Sequence, residues 1–309
     1  MERLAKKDVL RADQFTRDEI ELIMRRAEGY EASLSRGERL NVMEGKVLAT
    51  LFFEPSTRTR LSFETAMLRL GGCVITVAEP KSSSAAKGES LHDTIKTVEG
   101  YADVIVLRHP KVGAAEEAAE ATEKPVINAG DGAGEHPTQS LLDVYTIRKE
   151  RGKIDGLKIA LAGDLKNGRT VHSLARLLKN YAVSLLFVSP DPLRMPRGIV
   201  DELKDRGIEV AETDDLRTAI TAVDVLYMTR IQRERFEDEA EYERLKGSYV
   251  LTRGMLAERG GGLTVMHPLP RVNEIAADLD GYPGAAYFRQ AANGVPVRMA
   301  LLSLVTETG

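Results

Sequence analysis

The chain has 309 residues, with 43 Lys and Arg against 47 Asp and Glu, a formal net charge of −4, 43% hydrophobic residues and one cysteine. That length suits two domains of roughly 100–200 residues each, the apolar content excludes a wholly disordered chain, and the mild acid excess argues against a general polyanion binder. The lone Cys73 excludes a disulfide framework and a multi-cysteine metal site. With no apolar run near the ~18 residues of a membrane span and no apolar signal core in MERLAKKDVLRADQF, a soluble, cytoplasmic protein is expected.

Along the chain, Val47–Phe53, Val104–Leu107, Ile159–Ala162, Ser184–Val188, Val225–Met228 and Leu263–Met266 are short continuous apolar runs, the signature of strands buried on both faces of a parallel sheet. Between them, Thr59–Leu70, Thr138–Arg148 and Val171–Leu178 carry apolar residues at helical spacing, and Val297–Val305 reads as a final apolar helix. Strand–helix alternation over the whole length predicts an α/β fold of two doubly wound domains with mostly parallel central sheets and a ligand site in the cleft between them. The charged, glycine-punctuated stretch Arg148–Gly156 is the expected boundary. It gives one domain over 1–147, a second over 148–290, and a C-terminal helix of about 291–309 packing back on the first. Pro80–Gly88 reads as a loop and Arg230–Lys246 as a charge-dense surface segment, while Cys73, ahead of a strand, reads as a small buried hydrophobe.

The polar residues that follow these strands are the informative ones. In Phe53–Arg60, FEPSTRTR, Pro55 ends a strand and Ser56 can cap a helix whose first turn holds Thr57, Arg58 and Thr59. Unpaired helix N–H groups, hydroxyls and a guanidinium together make an anion site suited to phosphate, or an ordinary capped helix with solvated arginines. Arg108 and His109 leave another strand at the edge where open α/β sheets bind ligands, with a plain salt bridge as the alternative. In Asn128–Ser140, NAGDGAGEHPTQS, three glycines precede His136, Thr138 and Gln139 at a helix start, and a histidine there can donate to a developing oxyanion or brace a backbone carbonyl.

Gly163-x4-Gly168-Arg169-Thr170 nearly spells the NTPase phosphate loop. Arg169 replaces the compact lysine of that motif, however, and its fork is better suited to a carboxylate. Arg230 and Gln232 sit just past a further strand, and HPLPR, residues 267–271, is a double-proline turn with backbone carbonyls able to accept hydrogen bonds. The five histidines form no HxxxH or His/Cys cluster, so a catalytic zinc is not expected.

STRTR, a loop ending in KGES, RHP, HPTQ, GDLKNGRTVHS, TRIQRER and HPLPR occur in that order. From about residue 46 to the C-terminus the chain therefore resembles the aspartate/ornithine carbamoyltransferase family, and within it the aspartate branch. The ornithine branch carries a cysteine where Pro268 stands here, and two arginines aimed at the second substrate suit a dicarboxylate.

The resemblance implies carbamoyl transfer from carbamoyl phosphate to the amine of L-aspartate, giving N-carbamoyl-L-aspartate and phosphate at the start of pyrimidine synthesis. No metal, cofactor or covalent intermediate is implied. It assigns the phosphate to Ser56, Thr57, Arg58 and Thr59, the carbamoyl end to Arg108, His136 and Gln139, and catalysis to Arg58, Thr59, Arg108 and His136. Arg169, Arg230 and Gln232 match the aspartate binders, while Leu269 and Pro270 supply backbone contacts. Ser83 and Lys87 match loop residues that reach into a neighbouring subunit's site, with Lys87 serving both substrates. A homotrimer with shared sites is implied, and some members also assemble with zinc-bearing regulatory chains. The expected cations at the strand ends are Arg58, Lys87, Arg108, Arg169, Arg230 and Arg271, a local positive charge on an acidic chain.

Overall fold

The computed structural model describes residues 4–78, 87–231, 238–247, 249–257 and 259–307. The chain forms two compact units, one drawn from Met1–Leu142 and Asn293–Gly309 and the other from Asp143–Ala292. Each is built on a sheet whose strand pairings are all parallel.

In the first unit, β1 (Val47–Phe52), β2 (Cys73–Val77), β3 (Val104–His109) and β4 (Val126–Asp131) lie in the order β2-β1-β3-β4. Helices α1 (Arg17–Ser35), α2 (Thr57–Arg69), α3 (Leu91–Val98) and α4 (Ala114–Glu120) accompany them. β1 and β3 are buried along almost their whole length, as their continuous apolar runs require. Ala49, Leu51, Ile105, Leu107 and Val126 pack with Ile95 of α3 and Ala114 and Ala118 of α4 in one apolar cluster. β4 is a full strand although its sequence is VINAGD, and it is buried at all six positions. The N-terminal segment explains this burial: Val9 bridges Ile127, taking a hydrogen bond from Asn128 N–H and giving one to Val126 C=O.

The second unit holds β5 (Lys158–Ala162), β6 (Ser184–Val188), β7 (Glu209–Thr213), β8 (Val225–Met228) and β9 (Thr264–Met266) in the order β7-β6-β5-β8-β9. Its helices are α6 (Arg169–Leu178), α7 (Arg197–Asp205), α8 (Leu216–Ala222), α9 (Glu239–Leu245) and α10 (Arg253–Ala257). β8 and β9 are wholly buried. α5 (Pro137–Arg151) and α11 (Tyr287–Glu307) each run across the division between the units, which falls at Leu142/Asp143 and at Ala292/Asn293. α11 begins ten residues before the apolar run that marks it in the sequence and accommodates Pro296 in its interior.

Both outer strands β2 and β7 are largely exposed, and this corrects one expectation. Cys73 is the first residue of β2 and is exposed, because it sits on the uncovered side of an edge strand rather than in the core.

Strand order fixes where the loops go. In the first unit the chain leaves β1 for β2 on one side, while β3 lies on the other, so the ends of β1 and β3 form a switch point. The ends of β5 and β8 do the same in the second unit. The paired ends are level in register, Phe52 opposite Arg108 and Ala162 opposite Met228. At the second of them Gly163 adopts φ +120°, and a Cβ built there would lie 2.1 Å from the Thr229 carbonyl oxygen. Only glycine lets the two strand ends approach this closely. Gly163→Ala is therefore expected to destabilise the fold by at least about 1–3 kcal/mol, the usual cost of one forced backbone conformation. Denaturant unfolding checks this, and a midpoint equal to wild type would show that the turn tolerates a side chain.

Candidate functional site

The phosphate-type motif lies where β1 ends. Ser56 occupies the N-cap position of α2 with extended backbone, φ −162° and ψ 102°, but its hydroxyl makes no capping hydrogen bond. The expected cap is thus a cap by position only, because the hydroxyl is not turned onto the helix. Thr57 and Arg58 are exposed in the first turn and Thr59 is buried. No acidic residue lies in that turn, so the positive end of the helix is not neutralised from within. Arg58 has no ion-pair partner among the described residues, and partial burial alone lowers its guanidinium from the ordinary arginine value. Such a group remains cationic at neutral pH.

One strand over, Arg108 is buried at the end of β3. Its Nη2 lies 3.1 Å from Glu54 Oε2, and its Nη1 donates to the Ala129 carbonyl at 3.2 Å. Both readings of this arginine are therefore present in one geometry: it stands at the ligand edge of the sheet, and it is ion-paired. Glu54, one residue before Pro55, was assigned no role from the sequence. Its position level with the end of β3 is the signal that places it. His109 has its Nδ1 occupied by the Lys111 N–H at 3.0 Å, and burial lowers its pKa.

β4 ends in a second anchored turn. Asp131 is buried, and its carboxylate accepts from the Glu135 N–H at 2.6 Å and the Gly113 N–H at 2.8 Å. Gly132, at φ +51°, sits against the Pro110 carbonyl. This bracing delivers His136, buried, to the residue before Pro137 and the start of α5, with Gln139 half-buried in the first turn. Pro137 suits this first helical position because its missing N–H would have no partner there. The buried Thr138 hydroxyl has no hydrogen-bond partner among the described residues. Lys87 is exposed, and Ser83 lies outside the described residues.

In the second unit, Arg169 is the first residue of α6, half-buried, behind Gly168. The preceding loop is held by Asp164, buried, which accepts from the Asn167 N–H at 2.9 Å and from its side-chain amide. His172 Nε2 lies 2.7 Å from the Leu165 carbonyl, and burial lowers its pKa. Arg230 is half-buried two residues beyond β8, and Gln232 lies outside the described residues.

Past β9, Leu269 has φ 54°, the one described non-glycine residue with positive φ, and the Leu269–Pro270 peptide is cis. Arg271 departs from expectation. It is spent on a bidentate pair with Asp280, at 2.5 and 2.7 Å, and on the Tyr287 hydroxyl at 3.1 Å, with its guanidinium 5.2 Å from the Tyr287 ring centre. A bidentate acid partner plus an aromatic face engages both Nη groups of the fork. Among the described residues no group of three or more His, Cys, Asp or Glu side chains could hold a metal ion, and no helix is long and apolar enough to cross a membrane.

Two parallel α/β units with polar, arginine-bearing loops at the carboxyl ends of their strands define a class of ligand-binding protein in which each sheet presents its chemistry at a switch point. Comparison with known proteins makes the class specific. The family model for the aspartate/ornithine carbamoyltransferase carbamoyl-P binding domain matches residues 7–149, and that for the Asp/Orn binding domain matches residues 155–305. The chain belongs to the aspartate/ornithine carbamoyltransferase family.

It is 57% identical over 298 residues to the aspartate carbamoyltransferase catalytic subunit of Thermococcus onnurineus, covering 96% of each chain. The catalytic subunit of M. jannaschii aspartate transcarbamoylase superposes with a TM-score of 0.92 at 52% identity, covering 98% of this chain and 99% of that one. Aspartate transcarbamoylase from Trypanosoma cruzi, solved in complex with carbamoyl phosphate and aspartate, also superposes at 0.92, with 42% identity and 96% of both chains covered.

The Arg271–Asp280 pair carries a pH signature. Hydrogen bonds from Arg271 and Tyr287 hold the Asp280 carboxyl at about 2, below its ordinary 3.8. A depressed carboxyl stabilises the fold fully above its unfolded value, and that contribution is lost as pH falls from 3.8 towards 2. Solvent reaches this pair, so the contribution is modest. The stability difference between wild type and Asp280→Asn is expected to shrink across that window in urea titrations at stepped pH. A pH-independent difference would show that the pairing does not stabilise the fold.

Proposed function

We propose that the chain is an aspartate carbamoyltransferase, moving the carbamoyl group of carbamoyl phosphate to the amine of L-aspartate. The observation that carries this is the grouping of STRTR, RHP and HPTQ after three adjacent strands, β1, β3 and β4, of one sheet. The names of its relatives and their solved complexes support the same substrates.

The roles follow from chemistry. A phosphate dianion suits the start of α2, where Ser56, Thr57 and Thr59 offer hydroxyls and backbone N–H groups and Arg58 carries no competing acid. Arg108, His136 and Thr59 are the donors for the carbamoyl oxygen, and Gln139 serves its amide end. Lys87 and Ser83 complete recognition of carbamoyl phosphate, and the Leu269 and Pro270 carbonyls accept from N–H groups of the substrates. Arg169, Arg230, Gln232 and Lys87 hold the carboxylates of aspartate. Arginines at these positions favour aspartate over ornithine, whose side-chain ammonium they would repel.

The aspartate amine forms a bond to the carbamoyl carbon, and the resulting oxyanion is held by fixed donors. The C–O bond to phosphate then breaks, and the departing phosphate takes the proton that the amine gives up. A nucleophilic side chain, metal ion or cofactor has no part in these steps. One preorganised donor to an oxyanion is worth about 3 kcal/mol, and holding two substrates together supplies the entropic share.

Purified chain should convert the two substrates to carbamoyl aspartate and phosphate. Arg58→Ala should lower turnover by about 10²–10³-fold with its melting curve unchanged, which is the scale of one lost transition-state cation. Product release near the wild-type rate would remove Arg58 from the phosphate site.

The chain acts as a homotrimer whose subunits share sites through Ser83 and Lys87, in keeping with relatives named catalytic subunits. Such subunits would pair with zinc-bearing regulatory chains where those are present. Mixing inactive Lys87→Ala and Arg108→Ala trimers under conditions of subunit exchange should restore activity, because some sites then draw both intact residues from two chains. Silence after confirmed exchange counts against sharing.

A further inference from the structure

The HPLPR turn begins on a buried histidine that is paired with a buried glutamate three residues past the turn's end. His267 is 1% exposed and Glu274 is 4% exposed, and His267 Nε2 lies 2.7 Å from Glu274 Oε1. On the other side of the ring, Nδ1 accepts the Leu269 N–H at 2.8 Å. An atom that accepts cannot also carry the proton, so the backbone fixes the tautomer: Nδ1 is the lone pair and Nε2–H donates to the carboxylate.

The second oxygen of Glu274 accepts the N–H groups of Val272 at 3.2 Å and Asn273 at 3.1 Å. Burial opposes its charge, yet these bonds and the His267 contact leave its pKa below the ordinary glutamate value. The His267 N–H donates at 2.8 Å to Gln290, whose amide reaches Asp143 at 2.6 Å, and Asp143 also accepts the Tyr227 hydroxyl at 2.9 Å. The histidine is thus clamped through its backbone by Gln290 of α11, itself held by Asp143 of α5, and through its ring by Glu274.

What the clamp acts on is the one described non-glycine residue with positive φ. Leu269 sits at φ 54°, a left-handed conformation disfavoured for an L residue with a Cβ. Its N–H is the group that His267 Nδ1 accepts. We propose that His267 and Glu274 are positioning residues that hold the Leu269–Pro270 turn with its carbonyls presented for substrate, the glutamate acting by keeping the histidine in the tautomer that accepts from Leu269. This rests on the carbamoyl transfer proposed for the chain, and it adds two buried residues that act through the turn.

The test uses the full chain and compares wild type with His267→Ala, His267→Asn and Glu274→Gln. The measurements are kcat, the aspartate KM, inhibition by inorganic phosphate, and melting. Both His267 variants lose the Glu274 contact, but the asparagine Oδ1 can still accept the Leu269 N–H in an Asx-type turn.

His267→Ala is expected to lower kcat at least tenfold and raise the aspartate KM, while phosphate inhibition, which reports the α2 site, stays within twofold. His267→Asn should melt with His267→Ala yet recover at least fivefold in kcat. Equal kcat for the two, or loss of phosphate inhibition in parallel with turnover, overturns positioning and leaves a structural role only.

Should the His267 variants fail to fold, Glu274→Gln decides. Its amide cannot serve both His267 Nε2–H and the two backbone N–H groups, so kcat should fall about tenfold with phosphate inhibition intact. Wild-type turnover in that variant overturns the proposal. A wild-type chain that forms no carbamoyl aspartate is a separate result, and it removes the transfer reaction itself.

Discussion

A parallel sheet delivers all of its strand ends to one edge, and every chemical feature of this chain follows from that constraint. The strands must be largely apolar on both faces to be covered by helices, so polar chemistry gathers at the carboxyl ends of the strands and in the residues that follow. Helices that start there add unpaired N–H groups and the positive end of their dipole. The β1–β3 and β5–β8 junctions are the places where the chain departs in opposite directions and leaves that edge open. Arg58 and Arg108 stand at one junction, and Arg169 and Arg230 follow the strands of the other. The same constraint explains the glycines. Strand ends packed level with one another bring carbonyls so near that Gly132 and Gly163 have no room for a Cβ.

The parts of the fold legible in the sequence were those that the hydrophobic effect writes in runs. VIVL, IALA, SLLFV and VLYM each lie in a strand, and VLATLFF and LTVM each overrun theirs by one residue. The parts that were not legible lie where burial comes from elsewhere or is incomplete. VINAGD reads as a glycine loop because only the pairing with Val9 makes it a covered strand. EVAET at β7 and Cys73 at β2 belong to edge strands, whose solvent face needs no apolar residue.

Site residues divide the same way. The expected site residues were chosen by their position after apolar runs, and Arg271 was grouped with them. The features that decide what each arginine does were hidden, since they depend on an acid distant in sequence. Asp280 lies nine residues from Arg271, and Glu54 lies 54 residues from Arg108. His267 and Glu274 were equally hidden, because neither spacing nor composition tells a buried tautomer-fixing pair from two solvated polar residues.

The net charge of −4 therefore carries little information about ligands, and the disposition of individual acids carries a great deal. A cation that already holds a bidentate carboxylate and a ring face, as Arg271 does, has its donors satisfied and serves the fold. A cation with no acid among the described residues, as with Arg58, keeps its donors available to an arriving anion. Arg108 is intermediate by construction. Buried without a counter-charge its guanidinium would be costly, so Glu54 supplies one at 3.1 Å. The carboxylate is half-buried and mounted on the loop after β1 rather than within the strand. Under the carbamoyl transfer proposed for this chain, an oxyanion forming on the carbamoyl group would be a chemically equivalent partner for the same guanidinium, so one arginine would serve the fold and the reaction through the same kind of contact.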